Sequence, residues 1–179
     1  PEGHSLTAST VYTPPKTVPL GQHGDAHFAY GYATQAAQVE VDITSGEVTV
    51  LQVIAAHDVG NPLNPVSLEG QVEGGIVMGL GFALMEDFTM ADGVPVKTTL
   101  TKYRLPTTRE MPKMMPIMVE NPTAEGPYGA KGVGEITSIP TAPAITNAIY
   151  DAVGVRFFSL PVTPERILSA LEEANRNGV

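Results

Sequence analysis

Val39-Glu40-Val41-Asp42-Ile43, Thr44-Ser45-Gly46-Glu47 and Val48-Thr49-Val50-Leu51-Gln52-Val53-Ile54-Ala55-Ala56 form the stretch on which the fold turns. In the first segment apolar residues alternate with Glu40 and Asp42, the period of a half-buried strand. Thr44 to Glu47 is turn chemistry. The last segment is almost wholly apolar and rich in β-branched residues, so it reads as a more deeply buried strand. The pattern predicts a hairpin, its first strand drawn from residues 28–43 and its second from 48–56.

Toward the C-terminus, His57-Asp58-Val59-Gly60-Asn61-Pro62-Leu63-Asn64-Pro65 reads as a loop ending in helix-start chemistry. Asn64 can cap and Pro65 suits the first helical position. A helix follows over 66–86, where Leu68, Val72, Ile76, Leu80 and Leu84 recur every fourth residue. Gly75 and Gly79 would line a face that another backbone approaches closely. Ala91-Asp92-Gly93 predicts a second hairpin between 87–90 and 96–102, and 114–119 a short strand. A glycine-rich loop at 125–135 leads into a helix over 136–153, despite Pro140 and Pro143. A last strand is expected at 156–160. Thr163 and Pro164 then start a final helix over 164–175, with Ile167, Leu168 and Leu171 on its apolar face.

Toward the N-terminus, Pro14, Pro15, Pro19, Gly21 and Gly24 make residues 1–27 an irregular lead-in. Residues 28–179 are expected to form one domain. Strands and helices do not alternate regularly enough for a doubly wound parallel sheet. The expected class is α+β, antiparallel hairpins packed with three or so helices.

Composition limits the function. The 179 residues are 42% hydrophobic and 16% charged, which supports a packed core and argues against wholesale disorder. With 18 Gly and 16 Pro, a helical bundle or coiled coil is excluded. The net charge of −9 argues against nucleic-acid and acidic-membrane partners, since both need a basic face. Cysteine is absent, which removes disulfides, thiolate metal sites and cysteine nucleophiles from this chain. This fits a reducing compartment, and a cytoplasmic location is expected. No apolar run approaches the roughly 18 residues of a membrane span. Pro1-Glu2-Gly3-His4 lacks the basic and apolar stretches of a signal peptide.

Few residues carry candidate chemistry. His23 and His27 have the spacing of two ligands on a helix, but no helix is credible there and no third ligand is near, so no metal ligand is assigned. His57-Asp58 reads first as a packed loop histidine beside a turn aspartate. The glycine loop fails as a triphosphate loop, because Lys131 is followed by Gly132 rather than Ser or Thr. It also fails as a dinucleotide fingerprint. Its glycines still leave backbone N–H groups exposed before a helix, a generic anion cradle. Glu135 stands where loop meets helix, either as a residue complementing the helix dipole or as a catalytic carboxylate. Gln71, between Gly70 and Gly74, could offer donors and acceptors to a ligand or simply be solvated.

Several stretches, taken in order, change the weight of these readings. They are Tyr30-Gly31-Tyr32-Ala33-Thr34-Gln35 with 39–42, Asp58-Val59-Gly60 with Asn64-Pro65, and Gly70-Gln71-Val72-Glu73-Gly74 with Gly79-Leu80-Gly81. Gly129-Ala130-Lys131-Gly132-Val133-Gly134-Glu135, the run 143–149 and the run 160–165 complete the set. Together they resemble the molybdenum hydroxylases, the group of xanthine dehydrogenase, aldehyde oxidase and carbon monoxide dehydrogenase.

The resemblance implies a C-terminal portion of the molybdenum-cofactor subunit, its second molybdopterin-binding domain. Glu135 would be the catalytic base. Gln71, Ala130, Lys131, Gly132 and Val133 would contact molybdopterin, in bacteria usually the cytosine dinucleotide form, with its Mo. The implied reaction oxidises a purine, another N-heterocycle or an aldehyde with water-derived oxygen. The 2Fe-2S clusters and FAD would sit on partner chains or domains. The family's subunit is several times longer, so this chain would be inactive alone. It would work in a hetero-oligomer with a larger molybdenum-binding chain and iron–sulfur and flavin components. The alternative is a non-catalytic assembly or interaction module without bound cofactor.

Overall fold

In a computed structural model, residues 7–177 are described; Pro1-Glu2-Gly3-His4 lies outside the described residues. Residues 7–32 form no helix or strand. The expected hairpin is present, but its first strand begins later than the aromatic stretch suggested, as β1, Ala33–Val41. It pairs antiparallel with β2, Val48–Gly60, across a turn in which Gly46 adopts a positive φ. Asp42 holds that turn by accepting from the Thr44 amide and hydroxyl. Its carboxyl is lowered to about 2, chiefly by the Thr44 hydroxyl.

The segment expected as a loop from His57 is strand as far as Gly60. The reason is tertiary: β5, Lys113–Glu120, pairs with β2 in parallel from Gln52 to Gly60, so those residues lie in the middle of a three-stranded sheet ordered β1-β2-β5. The sheet is therefore mixed, and the α+β class holds without a continuous parallel sheet.

One face of the sheet carries the core. Val53, Ala55, His57 and Val59 are buried on it, facing Val72, Ile76 and Leu80 of helix α1, Pro65–Leu84, and Ile145 and Ile149 of helix α2, Thr141–Val153. Helix α1 spans Pro65–Leu84 and starts as expected, with the Asn64 side chain accepting from the Ser67 amide. Its small residues allow close packing. A Cβ on Gly75 would lie 2.7 Å from the Thr137 carbonyl carbon, and one on Gly79 2.9 Å from the Ser138 oxygen.

Three expected elements change. The second hairpin shrinks to β3, Met90–Ala91, against β4, Val94–Pro95, because its apolar residues Phe88, Met90, Val94 and Val96 remain exposed and cover no core. Residues 156–160 form no strand. The helix expected from 136 begins only at Thr141, as α2, Thr141–Val153; a 3-10 turn, Glu135–Thr137, precedes it, and Pro140 sits at its N-cap. Helix α3, Pro164–Asn177, lies where expected, with Ile167 buried. The Val162 amide donates to the Ala83 carbonyl and ties the approach to α3 onto α1.

Candidate functional site

The glycine loop is stitched to the end of β2. The Asn61 amide donates to the Gly129 carbonyl, and the Lys131 amide to the Val59 carbonyl at 3.1 Å. Gly60 makes this approach possible: its φ is +66°, and a Cβ there would lie 2.8 Å from the Lys131 nitrogen. The loop is thereby laid against the first half of α1. Two clefts result. One, of about 350 Å³, is lined by Val59, Asn61, Gln71, Ala130, Lys131 and Val133. The other, of about 370 Å³, is lined by Gln71, Gly74, Met78, Gly134, Glu135 and Ser138.

All the sequence-derived candidates except Gly132 line one of these clefts, and Gln71 belongs to both. Gly132 lines a third, of about 490 Å³, with Ala130, Lys131, His27 and Phe28 on the other side of the loop. Gln71 and Glu135 are exposed, and their side chains have no hydrogen-bond partner among the described residues. The amides of residues 132–135 likewise donate to no acceptor among the described residues. A Cβ at Gly74, Gly132 or Gly134 would meet nothing within 4 Å. Gly74 and Gly134 thus leave open space beside a carboxylate and a primary amide, in a loop with unbonded backbone amides.

The origin of this cradle differs from the expected one. No α-helix starts behind Glu135, only a three-residue 3-10 turn, so a macrodipole contributes little. Nor does Lys131 offer its charge: its Nζ lies 2.7 Å from Asp58 Oδ2, with both side chains nearly out of solvent. Burial pushes the Asp58 carboxyl up, but hydrogen bonds from Lys131, the Gly60 amide and Asn121, with the lysine charge, together hold it below its ordinary value. With the lysine charge taken up by Asp58, what the loop offers an anion is its backbone amides.

His57 and Asp58 lie in a strand rather than a loop. His57 is fully buried, and neither ring nitrogen makes a well-formed hydrogen bond within the described residues. Burial lowers its pKa, opposed by the nearby carbonyls of Ala55 and Ile136. Among the described residues no cluster of three His, Asp or Glu side chains could hold a metal. Nor is any helix there long and apolar enough to cross a membrane. Sequence reasoning missed two supports of the site. Asp58 looked like a turn residue, although its partner lies 73 positions on. Gln35 gave no sign of its bonds to Thr137 and Thr141.

The sequence profile of the molybdopterin cofactor-binding domain matches residues 2–112 of the chain. The chain belongs to this family. Gln71 lies inside the matched span, and Glu135 beyond it. Among relatives of this molybdopterin cofactor-binding domain, the xanthine dehydrogenase molybdenum-binding subunit of Escherichia coli O157:H7 is 40% identical over 129 residues, covering 71% of this chain and 17% of that protein. The structure of aldehyde oxidoreductase from Desulfovibrio gigas superposes with a TM-score of 0.78 at 37% identity, over 83% of this chain and 16% of that one. Quinoline 2-oxidoreductase from Pseudomonas putida 86 gives 0.73 at 35%, over 78% and 18%. The chain spans a quarter or less of the length of the curated relatives it matches.

The residues present fit a cofactor of this kind. Free amides suit phosphate oxygens, and the amide of Gln71 suits the mixed donors and acceptors of a pterin edge. The glycines leave the backbone open to a large planar group.

Proposed function

We propose that this molybdopterin cofactor-binding domain supplies one side of the active site of a molybdenum hydroxylase. Its substrate would be a purine or other N-heterocycle, or an aldehyde. The observation that supports this reading is the meeting of Gln71 and Glu135 in one cleft that Gly134 also lines, at the end of a loop whose amides from 132 to 135 are unbonded among the described residues.

When bound, the molybdenum cofactor supplies Lewis acidity and a two-electron acceptor. The chain's own residues do the rest on this side. The Gly132, Val133 and Gly134 amides bind and orient the anionic cofactor, in its dinucleotide form in a bacterial enzyme. Ala130 and Lys131 contribute contact surface, since their amides are bonded to Pro127 and Val59. Gln71 fixes the pterin edge. Glu135 accepts the proton released as the water-derived oxygen becomes nucleophilic, and its exposed side chain is within reach of a ligand in the cleft.

Both clefts are open on one side, so the remaining molybdenum-binding portion must close them. Iron–sulfur and flavin groups on partner chains or domains would supply the onward electron transfer. The test is to purify the chain with its natural neighbours and measure metal and turnover. About one molybdenum per complex, with substrate oxidation, is expected. A complex free of molybdenum after careful purification would favour the interaction module instead. Full activity from a free monomer would overturn the need for a partner.

A further inference from the structure

Asp58 and Lys131 meet at 2.7 Å with side chains only 5% and 8% exposed. A buried ion pair is a poor stabiliser, because desolvation largely offsets its attraction; removing one partner alone, however, is severe. What such a pair does well is fix a position. Asp58 is itself immobilised: Oδ1 accepts from the Gly60 amide at 3.1 Å, Oδ2 from Asn121 at 3.3 Å, and its own amide donates to the Tyr32 carbonyl at 2.8 Å. Lys131 is held at both ends, its amide on Val59 and its ammonium on Asp58. Beyond Lys131, no backbone amide finds an acceptor among the described residues until Thr137, which donates to the Gly134 carbonyl. The segment 132–136 hangs between Lys131 and the Thr137 carbonyl that Gln35 grips at 2.8 Å.

We propose that Asp58 is a positioning residue for the candidate site: by anchoring Lys131 it sets the path of Gly132–Gly134 and hence where the Glu135 carboxylate stands opposite Gln71. The role at Glu135 rests on the proposed function; the anchoring does not.

The experiment compares wild type, Asp58→Asn, Lys131→Met and the double variant, each within the native assembly. Amide exchange is read first. Asp58→Asn keeps the shape but strands the lysine charge, so exchange at Asn61 and Lys131 should rise roughly tenfold or more while β2 and α2 core amides change less. The double variant removes both buried charges and so recovers most thermal stability, yet its loop stays loosened. In both Asp58 variants kcat should fall on the order of 10²-fold with molybdenum content and KM little changed. Equal acceleration throughout the chain, or a double variant with a protected loop and full kcat, would overturn the proposal. If the wild-type assembly holds no molybdenum and turns nothing over, the proposed function fails, and the exchange contrast alone decides whether Asp58 fixes the loop.

Discussion

Thr141 donates its hydroxyl to Gln35 Oε1 at 2.7 Å, while Gln35 Nε2 donates to the Thr137 carbonyl at 2.8 Å. One side chain on β1 thus clasps the last turn before α2 and the first residue of α2 itself. Replacing it by an apolar residue of similar length, Gln35→Met, removes the short partner of both groups in a buried place and leaves them only the longer bond between the Thr141 hydroxyl and the Thr137 carbonyl, at 3.4 Å. The expected loss is about 1–3 kcal/mol. Denaturant unfolding measures it, and an unchanged midpoint would show the clasp to be idle.

Glu135→Gln keeps size and hydrogen-bonding reach but removes the proton acceptor. In the assembled enzyme, turnover should fall by about 10²–10⁴-fold or more while molybdenum content stays full. The amides of 132–135 are backbone groups and survive the change. Turnover and metal measured on one sample decide the matter, and full turnover would end the catalytic assignment.

Two glycines of α1 should respond with opposite sign. Gly75→Ala forces a methyl to within 2.7 Å of the Thr137 carbonyl carbon, and should cost about 1–3 kcal/mol. Gly70→Ala meets nothing within 4 Å and should gain about 0.5–1 kcal/mol by lowering the entropy of the unfolded chain. Thermal melts of the pair give the comparison directly.

His57 makes stability depend on pH. Its folded pKa is lowered, mainly by burial, beside Ala33 and Met118 on the neighbouring strands. The unfolded chain therefore takes up the proton first. Its contribution is complete above the unfolded value of about 6.5 and is lost as pH falls from there toward the folded value, at about 1.4 kcal/mol per pH unit. Asp58, also lowered, acts in the same direction but only below the ordinary carboxylate range. His57→Met should flatten the profile from about pH 6.5 downward and leave the later acid transition in place. A profile unchanged by the substitution would remove His57 as its source.

The parts of this fold that were legible in the sequence are those decided locally. The Val39–Val41 alternation, the Asn64-Pro65 helix start and the four-residue spacing of α1 each depend on neighbours within a turn or two, although Ile43, expected in the strand, lies exposed in the turn. Even the close approach at Gly75 and Gly79 was readable, because glycine on an apolar face has few other uses. What escaped was set at long range. Nothing near His57 says that β5 will pair alongside and extend the strand to Gly60. The helix expected from 136 yields to a 3-10 turn, where Gln35 holds Thr137 and Pro140 delays the helix. In the candidate site, glycine content located the loop, but the burial of the lysine charge could not be seen without its distant aspartate.

The parallel pairing of β2 with β5 also sets an order of events in time. The β1–β2 hairpin and α1 are contiguous and can form from chain already at hand, whereas β5 must return across the whole of α1 to reach β2. Such non-local pairing is slow, because the chain entropy of closing the loop is spent before any contact forms. The Asp58–Lys131 contact closes a longer loop still. Pulse-labelled refolding should therefore protect the β1–β2 amides before those of β5, with the Lys131 amide last. The part of the chain that carries the candidate chemistry would be the final part to take shape.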